Sequence, residues 1–421
     1  MRMFTFLHAA DIHLDSPLKG LEAYPDAPVE QIRGAARRAF DNLIDLAIAE
    51  EVAFVLLAGD LFDGDWKDYN TGLYFVNRLG RLRSVGIPVF LVSGNHDAAS
   101  QITRALHLPD NVTLFSHKKV ESRTLEHLGV AVHGQSFSSR SVSDDLARNY
   151  PQGDPGLFNI GLLHTSLNGR PGHEPYAPCT LDGLRSKGYQ YWALGHIHQR
   201  EEIAREPWVV FPGNIQGRHV RETGAKGCTL VTVDGGLVAR VEARELDVLR
   251  WADCRIDLGR CDRIEGLLEM VRGVFADERD RGAGRPLAVR LTLTGMTALH
   301  GRLHENSARW QEEFRGIAAG QGDIWLEKIL FNTSDVSSPE LDVADDSPLA
   351  FLQKAVEGLP FGATPILEVI PEFEQLRSKL PPELLSEGDP FSPVGEAMAT
   401  LTEDIKALLW AKLHPGGRHE D

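Results

Sequence analysis

The sequence has little cysteine and no long apolar run. Four of its 421 residues are cysteines (Cys179, Cys228, Cys254 and Cys261), and no two of them are spaced as C-x-x-C. This spacing argues against a zinc knuckle or a thioredoxin-type motif, and a chain of this length needs no disulfide framework. No apolar stretch approaches the roughly 18 residues of a membrane span, and Met1–Ala10 lacks a signal-peptide cleavage site. We therefore expect reduced thiols, no membrane partner and a cytoplasmic location.

The chain also lacks an excess of basic residues. Lys and Arg number 44 against 60 Asp and Glu, so the formal net charge is −16. This balance argues against a protein that coats nucleic acid or an anionic membrane through bulk charge. It does not exclude an enzyme that meets phosphate groups through bound metal ions, because the ions then set the local field. The sequence has no G-x-x-x-x-G-K-[ST] motif, so it carries no P-loop ATPase of its own.

Short apolar runs alternate with amphipathic stretches over about the first 250 residues. This alternation predicts an α/β layered domain. Apolar residues recur at helical spacing in Val29–Glu51 and Tyr69–Val85, which we predict to be helices. The predicted strands are Phe4–Ala9, Phe54–Ala58, Val89–Val92, Ile160–His164, Tyr191–Leu194, Val209–Phe211 and Thr229–Val233.

The pattern changes near Arg250. We predict a small separate domain of βαβαβ order at residues 250–334. After a polar linker, we predict a helical C-terminal region at residues 347–414. The predicted domains are therefore 1–249, 250–334 and 347–414. The elements predicted for the small domain are Trp251–Leu258, Arg263–Asp280, Leu287–Thr294, Arg302–Ala319 and Trp325–Asn332.

Five of the predicted strands are followed by side chains that commonly bind metals. Sites in α/β sheets form beyond the carboxyl ends of strands, so we expect these side chains to meet. Two carboxylates, one amide and four imidazoles suit Mn²⁺, Fe or Zn²⁺ better than Ca²⁺. Seven ligands suffice for two ions if one carboxylate bridges them. The seven are Asp11, His13, Asp60, Asn95, His164, His196 and His198.

The spacing within these motifs also fits metal binding. In extended backbone, residues i and i+2 lie on one face, so Asp11 and His13 can reach the same ion. His196 and His198 can do the same if the chain stays extended, or reach different ions if it turns. Taken singly, each residue has an ordinary structural explanation, such as a helix cap or a turn. Five such segments, each at a strand end, favour the metal site.

These motifs resemble those of the calcineurin-like metallophosphoesterases. The similarity covers about the first 240 residues. The residues within the motifs are most similar to those of the DNA-repair branch, which comprises SbcD-type exonuclease subunits and YhaO-like relatives. The superfamily motifs are Asp11-Ile12-His13, Gly59-Asp60, Gly94-Asn95-His96-Asp97, His164 and Gly195-His196-Ile197-His198. The segments that resemble the repair branch are 7–13, 58–63 and 193–198, and those that look YhaO-like are 176–179 and 211–219.

The resemblance implies a four-layer α/β/β/α sandwich for residues 1–249, a small capping domain at 250–334 and a helical tail at 347–414. It also implies two Mn²⁺ ions, with Mg²⁺, Fe²⁺ or Zn²⁺ as alternatives. By motif, one ion would be held by Asp11, His13, Asp60 and His198. The other would be held by Asp60, Asn95, His164 and His196, so that Asp60 bridges.

The resemblance also implies roles for residues that are not ligands. His96 would protonate the leaving oxygen or stabilise the charge at the phosphorus, and Asp97 would orient His96. Asp63 replaces a histidine that eukaryotic and archaeal members often carry, and we assign it no direct catalytic role. Outside the motifs, and apart from the resemblance, Arg218 can either contact a substrate phosphate bidentately or form a structural salt bridge. His219 is a weaker candidate for substrate contact.

The implied function is a DNA-repair exonuclease or endonuclease subunit whose partners are DNA and an SMC-like coiled-coil ABC ATPase. Pro393–Leu413 has an apolar stripe that fits either the chain's own core or a docking site for that ATPase. A homodimer is a further expectation, with Tyr69–Val85 as one candidate surface. Two alternatives stay open: a stand-alone phosphoesterase for a small nucleotide or phosphoester, and a non-catalytic scaffold for DNA ends or the ATPase.

Overall fold

The computed structural model describes residues 3–16, 32, 34–63, 69–99, 106–168, 176–336 and 351. The predicted C-terminal helices, including the candidate docking segment Pro393–Leu413, lie outside the described residues. Within the described part of the chain, no helix is long and apolar enough to cross a membrane.

Two six-stranded sheets form the larger part of the described structure. The first has the strand order β12-β11-β1-β2-β3-β4, and the second has the order β5-β6-β7-β8-β10-β9. In chain order the strands are β1 (Phe4–Ala9), β2 (Phe54–Ala58), β3 (Val89–Val92), β4 (Val112–Leu114), β5 (Glu121–Leu125), β6 (Val130–Gly134), β7 (Phe158–His164), β8 (Tyr191–Gly195), β9 (Glu201–Arg205), β10 (Trp208–Phe211), β11 (Gly227–Asp234) and β12 (Leu237–Glu245).

Helices cover the outer faces of the two sheets. The longer two are α1 (Ala35–Ala49) and α2 (Tyr69–Ser84), and the short ones are α3 (Asn95–Ala99) and α4 (Leu181–Arg185). Helix α1 ends earlier than the predicted Glu51, because Glu51 takes a positive φ of 47°, which a right-handed helix cannot continue.

Side chains alternate across β1 and thereby define the layers. Phe4 and Phe6 enter the core between the two sheets, whereas Leu7 and Ala9 enter the core beneath α1 and α2. The outer face of the second sheet packs Leu163 and Trp192 against Leu184 of α4. The predicted α/β/β/α sandwich is therefore confirmed.

Parallel pairing brings the carboxyl ends of the strands to one edge of each sheet. Strands β1, β2, β3 and β4 are mutually parallel neighbours, with Ala9 opposite Leu57 and Ala58 opposite Val92. In the second sheet β7 and β8 are parallel, and His164 lies opposite Gly195. All five polar segments that follow these strands consequently begin at strand carboxyl ends, as the sequence predicts.

The residues after 249 form a third sheet, of three strands. Its elements are β13 (Arg250–Asp257), α5 (Ile264–Gly282), β14 (Leu287–Met296), α6 (His300–Glu305), α7 (Ser307–Gly320) and β15 (Ile324–Ser334), with the strand order β13-β14-β15. The order is βαβαβ as predicted, but the helix predicted over Arg302–Ala319 is two helices. Asn306 interrupts it with φ −127° and ψ 43°, outside the helical region.

The chain divides into two compact units. The first comprises Met1–Asp253, Phe275–Arg290 and Gln321–Lys328, and the second comprises Cys254–Val274, Leu291–Gly320 and the segment that starts at Ile329. The predicted domain boundary between residues 249 and 250 stays a prediction.

Candidate functional site

The seven predicted ligands collect into two groups in which candidate ligand atoms lie within 4.8 Å of one another. Asp11, His13 and His198 form the first group, and Asp60, His164 and His196 form the second. Asn95 joins the second group, because its Oδ1 lies 2.9 Å from Nε2 of His164. All are buried except His198, whose side chain is 20% exposed. The structure thus brings all seven together.

The Asp60 carboxylate connects the two groups. Its Oδ2 lies 4.0 Å from Nε2 of His13 in the first group and 3.5 Å from Nε2 of His164 in the second. Its other oxygen accepts the backbone N–H of His96 at 3.0 Å, which fixes the carboxylate orientation. One oxygen near an imidazole of each group is the arrangement that a bridging carboxylate requires.

The hydrogen bonds of His164 indicate what the second group would bind. Its Nδ1 can only donate to the carbonyl oxygen of Ala58, at 2.9 Å, so the neutral ring carries its lone pair on Nε2. That lone pair faces Oδ1 of Asn95 and Oδ2 of Asp60, which both accept. Three acceptors that converge with no proton among them fit a metal cation.

Unusual backbone conformations aim the ligands. Asp11, His13, Asp60 and His196 all have positive φ, at 52°, 46°, 52° and 108°. Such angles are costly for residues other than glycine and persist where surrounding contacts hold them. At His196 the chain turns, so that His196 and His198 belong to different groups, as the turned alternative predicts.

Gly94 shows why a glycine precedes a ligand here. A Cβ at this position would lie 2.2 Å from Oδ1 of Asp60, so any side chain would displace the carboxylate. The glycine therefore allows the Gly94 backbone to approach the Asp60 side chain closely.

The electrostatic balance of the site also fits a bound cation. Burial and the neighbouring Asp60 charge raise the pKa of Asp11 well above its ordinary value. Burial lowers the pKa of His13 and of His164, so both rings are neutral at pH 7. The raised pKa of Asp11 shows that burial and the neighbouring Asp60 carboxylate disfavour its ionised form, and a divalent cation bound between the two carboxylates would offset that cost. The residues present therefore fit divalent metal ions.

The prediction that Asp97 orients His96 is wrong. Both oxygens of Asp97 accept backbone N–H groups, from Leu61, Phe62 and Gly94 at 3.0–3.2 Å. The Nδ1 of His96 lies instead 2.8 Å from Oδ1 of Asp63. Asp97 lies in helix α3, and its carboxylate orders the backbone that precedes this helix and the backbone after Asp60.

Asp63 has a closer connection to the site than its sequence motif indicates. Burial alone would raise its pKa, but hydrogen bonds with His96 and Ser16 hold that pKa at about 2. Burial likewise lowers the pKa of His96, yet its hydrogen bond to Asp63 and the charges of Asp60 and Asp63 raise the pKa overall. The hydrogen bond to Asp63 therefore holds the His96 ring toward its protonated form.

Arg218 and His219 lie beside the first group. The guanidinium Nη2 of Arg218 lies 3.1 Å from Oε1 of Glu222, and Nη1 lies 3.6 Å from Oδ2 of Asp63. The salt-bridge alternative for Arg218 is thus observed, while its contact with substrate stays a prediction. His219 is about half exposed, with Nε2 3.6 Å from Glu222, and its contact with substrate also stays a prediction. Glu222 itself is not predicted from the sequence, because no motif marks a glutamate in this loop.

A structural role for Asp97 makes a testable prediction. Asp97→Ala leaves three buried N–H groups without their acceptor, which should lower the free energy of unfolding by about 3 kcal/mol. Thermal and denaturant unfolding of the metal-free chain measure this loss. Asp182→Asn is the control, because the exposed Asp182 side chain pairs with Arg185 at the surface, and it should unfold near the wild-type midpoint. A variant of Asp97 with wild-type stability but lost activity would contradict the assignment.

Known protein families match both the region that contains the site and the residues that follow it. Residues 4–200 match the family described as calcineurin-like phosphoesterase, and residues 251–334 match the metallophosphoesterase YhaO middle domain. The chain is 38% identical over 295 residues to the uncharacterized metallophosphoesterase YhaO of Bacillus subtilis (strain 168), a match that covers 69% of this chain and 72% of that protein.

More distant matches carry other names. The DNA double-strand break repair protein Mre11 of Sulfurisphaera tokodaii is 28% identical over 248 residues, which cover 55% of this chain and 60% of that protein. The chain thus spans less than two thirds of this relative. A crystal structure of a dimetal phosphatase from Danio rerio aligns with a TM-score of 0.36 at 12% identity, over 58% of this chain and 96% of that one.

Proposed function

Because this chain belongs to the calcineurin-like metallophosphoesterases and carries the middle domain of the YhaO proteins, we propose that it is a two-metal phosphodiesterase that hydrolyses DNA. Hydrolysis of a phosphoester with divalent metal follows from the family. The observation that carries the finer proposal is the pair of ligand groups joined by Asp60.

The proposed ligands divide between two ions. Asp11, His13, Asp60 and His198 would hold one, and Asp60 with Asn95, His164 and His196 would hold the other. Bound divalent ions supply Lewis acidity to a phosphoryl oxygen and lower the pKa of water. The mixed oxygen and nitrogen donors favour Mn²⁺, with Mg²⁺, Fe²⁺ or Zn²⁺ as alternatives.

His96 supplies the proton that a DNA leaving group needs. A sugar alkoxide is a poor leaving group, so a positioned acid accelerates its departure. The side chain of His96 is one-third exposed, which leaves it accessible to substrate, and Asp63 at 2.8 Å stabilises its protonated form. We therefore assign His96 as the general acid and Asp63 as its positioning residue.

Asp63→Asn should lower kcat about ten- to a hundredfold, because the amide holds His96 less firmly and does not stabilise its charge. The same substitution should cost little in a chain that already carries His96→Ala, since the two residues act as a unit. Steady-state rates of the four chains on DNA close this double-mutant cycle. Losses that multiply independently would contradict the pairing.

DNA is the proposed substrate for two reasons. The resemblance is to the repair branch, and a relative that matches 55% of this chain is a DNA double-strand break repair protein. An SMC-like ABC ATPase partner and a homodimer remain parts of the proposal that rest on the same resemblance, as does the cytoplasmic location. The acidic composition, with a net charge of −16, favours the alternative of a small phosphoester substrate.

The experiment that tests the proposal measures cleavage of end-labelled DNA by the purified chain with Mn²⁺. A chromogenic diester runs in parallel, and EDTA provides the metal-free control. Degradation of both substrates, lost with EDTA, is the expected result. Cleavage of the small ester alone would assign a metallophosphoesterase whose DNA activity is absent or needs a partner. No cleavage of either would support the scaffold alternative.

A further inference from the structure

Glu222 is a buried acceptor at the edge of the site. Its Oε1 lies 2.7 Å from Nδ1 of His198 and accepts from Nη2 of Arg218 at 3.1 Å. Its Oε2 accepts from the side-chain amide of Asn214 and the backbone N–H of Arg218, both at 2.8 Å. Glu222 is 6% exposed, and Nε of Arg218 at 3.5 Å and Nε2 of His219 at 3.6 Å also lie beside its carboxylate. A carboxylate with this many donors is rigidly held.

The contact with His198 fixes the proton on that ring. The Glu222 oxygen lies 2.7 Å from Nδ1 of His198, and the Arg218 guanidinium lies 3.3 Å from it. An ionised carboxylate only accepts, and the shorter contact is the stronger, so Nδ1 carries the hydrogen. The lone pair then lies on Nε2, which faces Nε2 of His13 at 3.2 Å.

Other residues near Glu222 also contact His198 directly or His96 through Asp63. Lys226 donates from Nζ to the carbonyl oxygen of His198 at 3.0 Å. Arg218 reaches from Glu222 to Asp63, with Nη1 3.6 Å from Oδ2, and Asp63 in turn holds His96. A continuous chain of charged contacts therefore runs from a metal-ligand histidine to the proposed general acid.

We propose that Glu222 is a positioning residue that holds His198 in its metal-binding tautomer, and that Arg218 connects it to the Asp63–His96 pair. This inference rests on the metal centre proposed above. It gives Arg218 a defined role within the protein, since its guanidinium lies between two carboxylates that each orient a histidine. Glu222 does not touch the reacting atoms in this assignment.

Metal affinity of the full chain tests the proposal. Glu222→Ala removes the acceptor for Nδ1 and should weaken Mn²⁺ binding ten- to about a hundredfold, as loss of a partner to a ligand histidine does. Glu222→Gln keeps one acceptor oxygen and should bind within about fivefold of wild type. Isothermal titration of the metal-free protein with MnCl₂ gives both values without relying on activity.

The tautomer itself provides a second readout. In metal-free protein labelled with ¹⁵N-histidine, the His198 signal should report a hydrogen on Nδ1, and Glu222→Ala should shift it toward a mixture of tautomers. Comparison with His198→Gln assigns the signal. The matched control is Glu327→Ala, which removes a Glu–Arg pair of similar burial, two contacts of 2.9 Å to Arg290. It should leave Mn²⁺ affinity unchanged.

The possible outcomes distinguish a failure of the proposed Glu222 role from a failure of the proposed metal centre. Wild-type protein that binds no Mn²⁺ overturns the metal centre and this inference with it. Wild type that binds Mn²⁺, together with a folded Glu222→Ala that binds equally well, overturns the role of Glu222 alone. If Glu222→Ala does not fold, Glu222→Asp keeps the charge but withdraws the acceptor by one methylene. Wild-type affinity and tautomer in folded Glu222→Asp would also overturn the role.

Discussion

Asp60→Asn should lower DNA hydrolysis at saturating Mn²⁺ by about a thousandfold or more. The Asp60 carboxylate lies between the two groups, with Oδ2 4.0 Å from Nε2 of His13 and 3.5 Å from Nε2 of His164. Asparagine keeps the size and one oxygen but removes the charge that two ions would share. Loss of metal-assisted charge stabilisation is worth several kcal/mol, and about 4 kcal/mol corresponds to a thousandfold in rate.

The measurement is kcat and kcat/KM with end-labelled DNA over a range of Mn²⁺ concentrations. Asp182→Asn is the control, because Asp182 is exposed and pairs only with Arg185 among the contacts described for it. This control should match wild type at every concentration. An Asp60→Asn chain that regains full rate at high Mn²⁺ would contradict a bridging role and indicate simple weakening of one site.

His96→Ala should lower kcat on DNA by about 10²–10⁴-fold while both ligand groups stay intact. The size of the loss should depend on the leaving group. An alkoxide from DNA needs the proton that His96 donates, whereas nitrophenolate leaves readily without one. We therefore expect a much smaller loss with a bis-nitrophenyl phosphate, measured on the same protein preparation.

Two results would change this assignment. Equal losses on both substrates would indicate that His96 stabilises charge at the phosphorus instead of donating a proton. Rates near wild type on DNA would remove His96 from the catalytic machinery. Mn²⁺ titration of the variant provides the control, since its affinity should stay near the wild-type value.

Three buried strands of the fold could be predicted from the sequence because most of their side chains are apolar. Phe4–Ala9, Phe54–Ala58 and Val89–Val92 are strands with the predicted bounds. The four edge strands, β4, β5, β9 and β12, could not be predicted, since none of their residues is fully buried. Leu237–Glu245 is mostly exposed, and its charged residues hide the alternation that a half-buried strand shows.

The site residues that could be predicted from the sequence are those that lie within the motifs. The ligands follow buried strands, so the sequence alone predicts that Asp11 and Asp60 lie at one edge of the sheet. The partner of His96 could not be predicted, because Asp63 and Asp97 are both near the motifs, and only the turn geometry decides which carboxylate is engaged by backbone N–H groups. Glu222 contacts a histidine 24 residues away, a separation that no local pattern encodes.

We propose that this edge of the sandwich holds two divalent ions that share Asp60. An anomalous difference map from crystals grown with MnCl₂ tests it directly. We expect two peaks, one among Asp11, His13, Asp60 and His198, and one among Asp60, Asn95, His164 and His196. A map with no peak at saturating Mn²⁺, or with peaks only outside these residues, would show that these side chains do not form a two-metal centre.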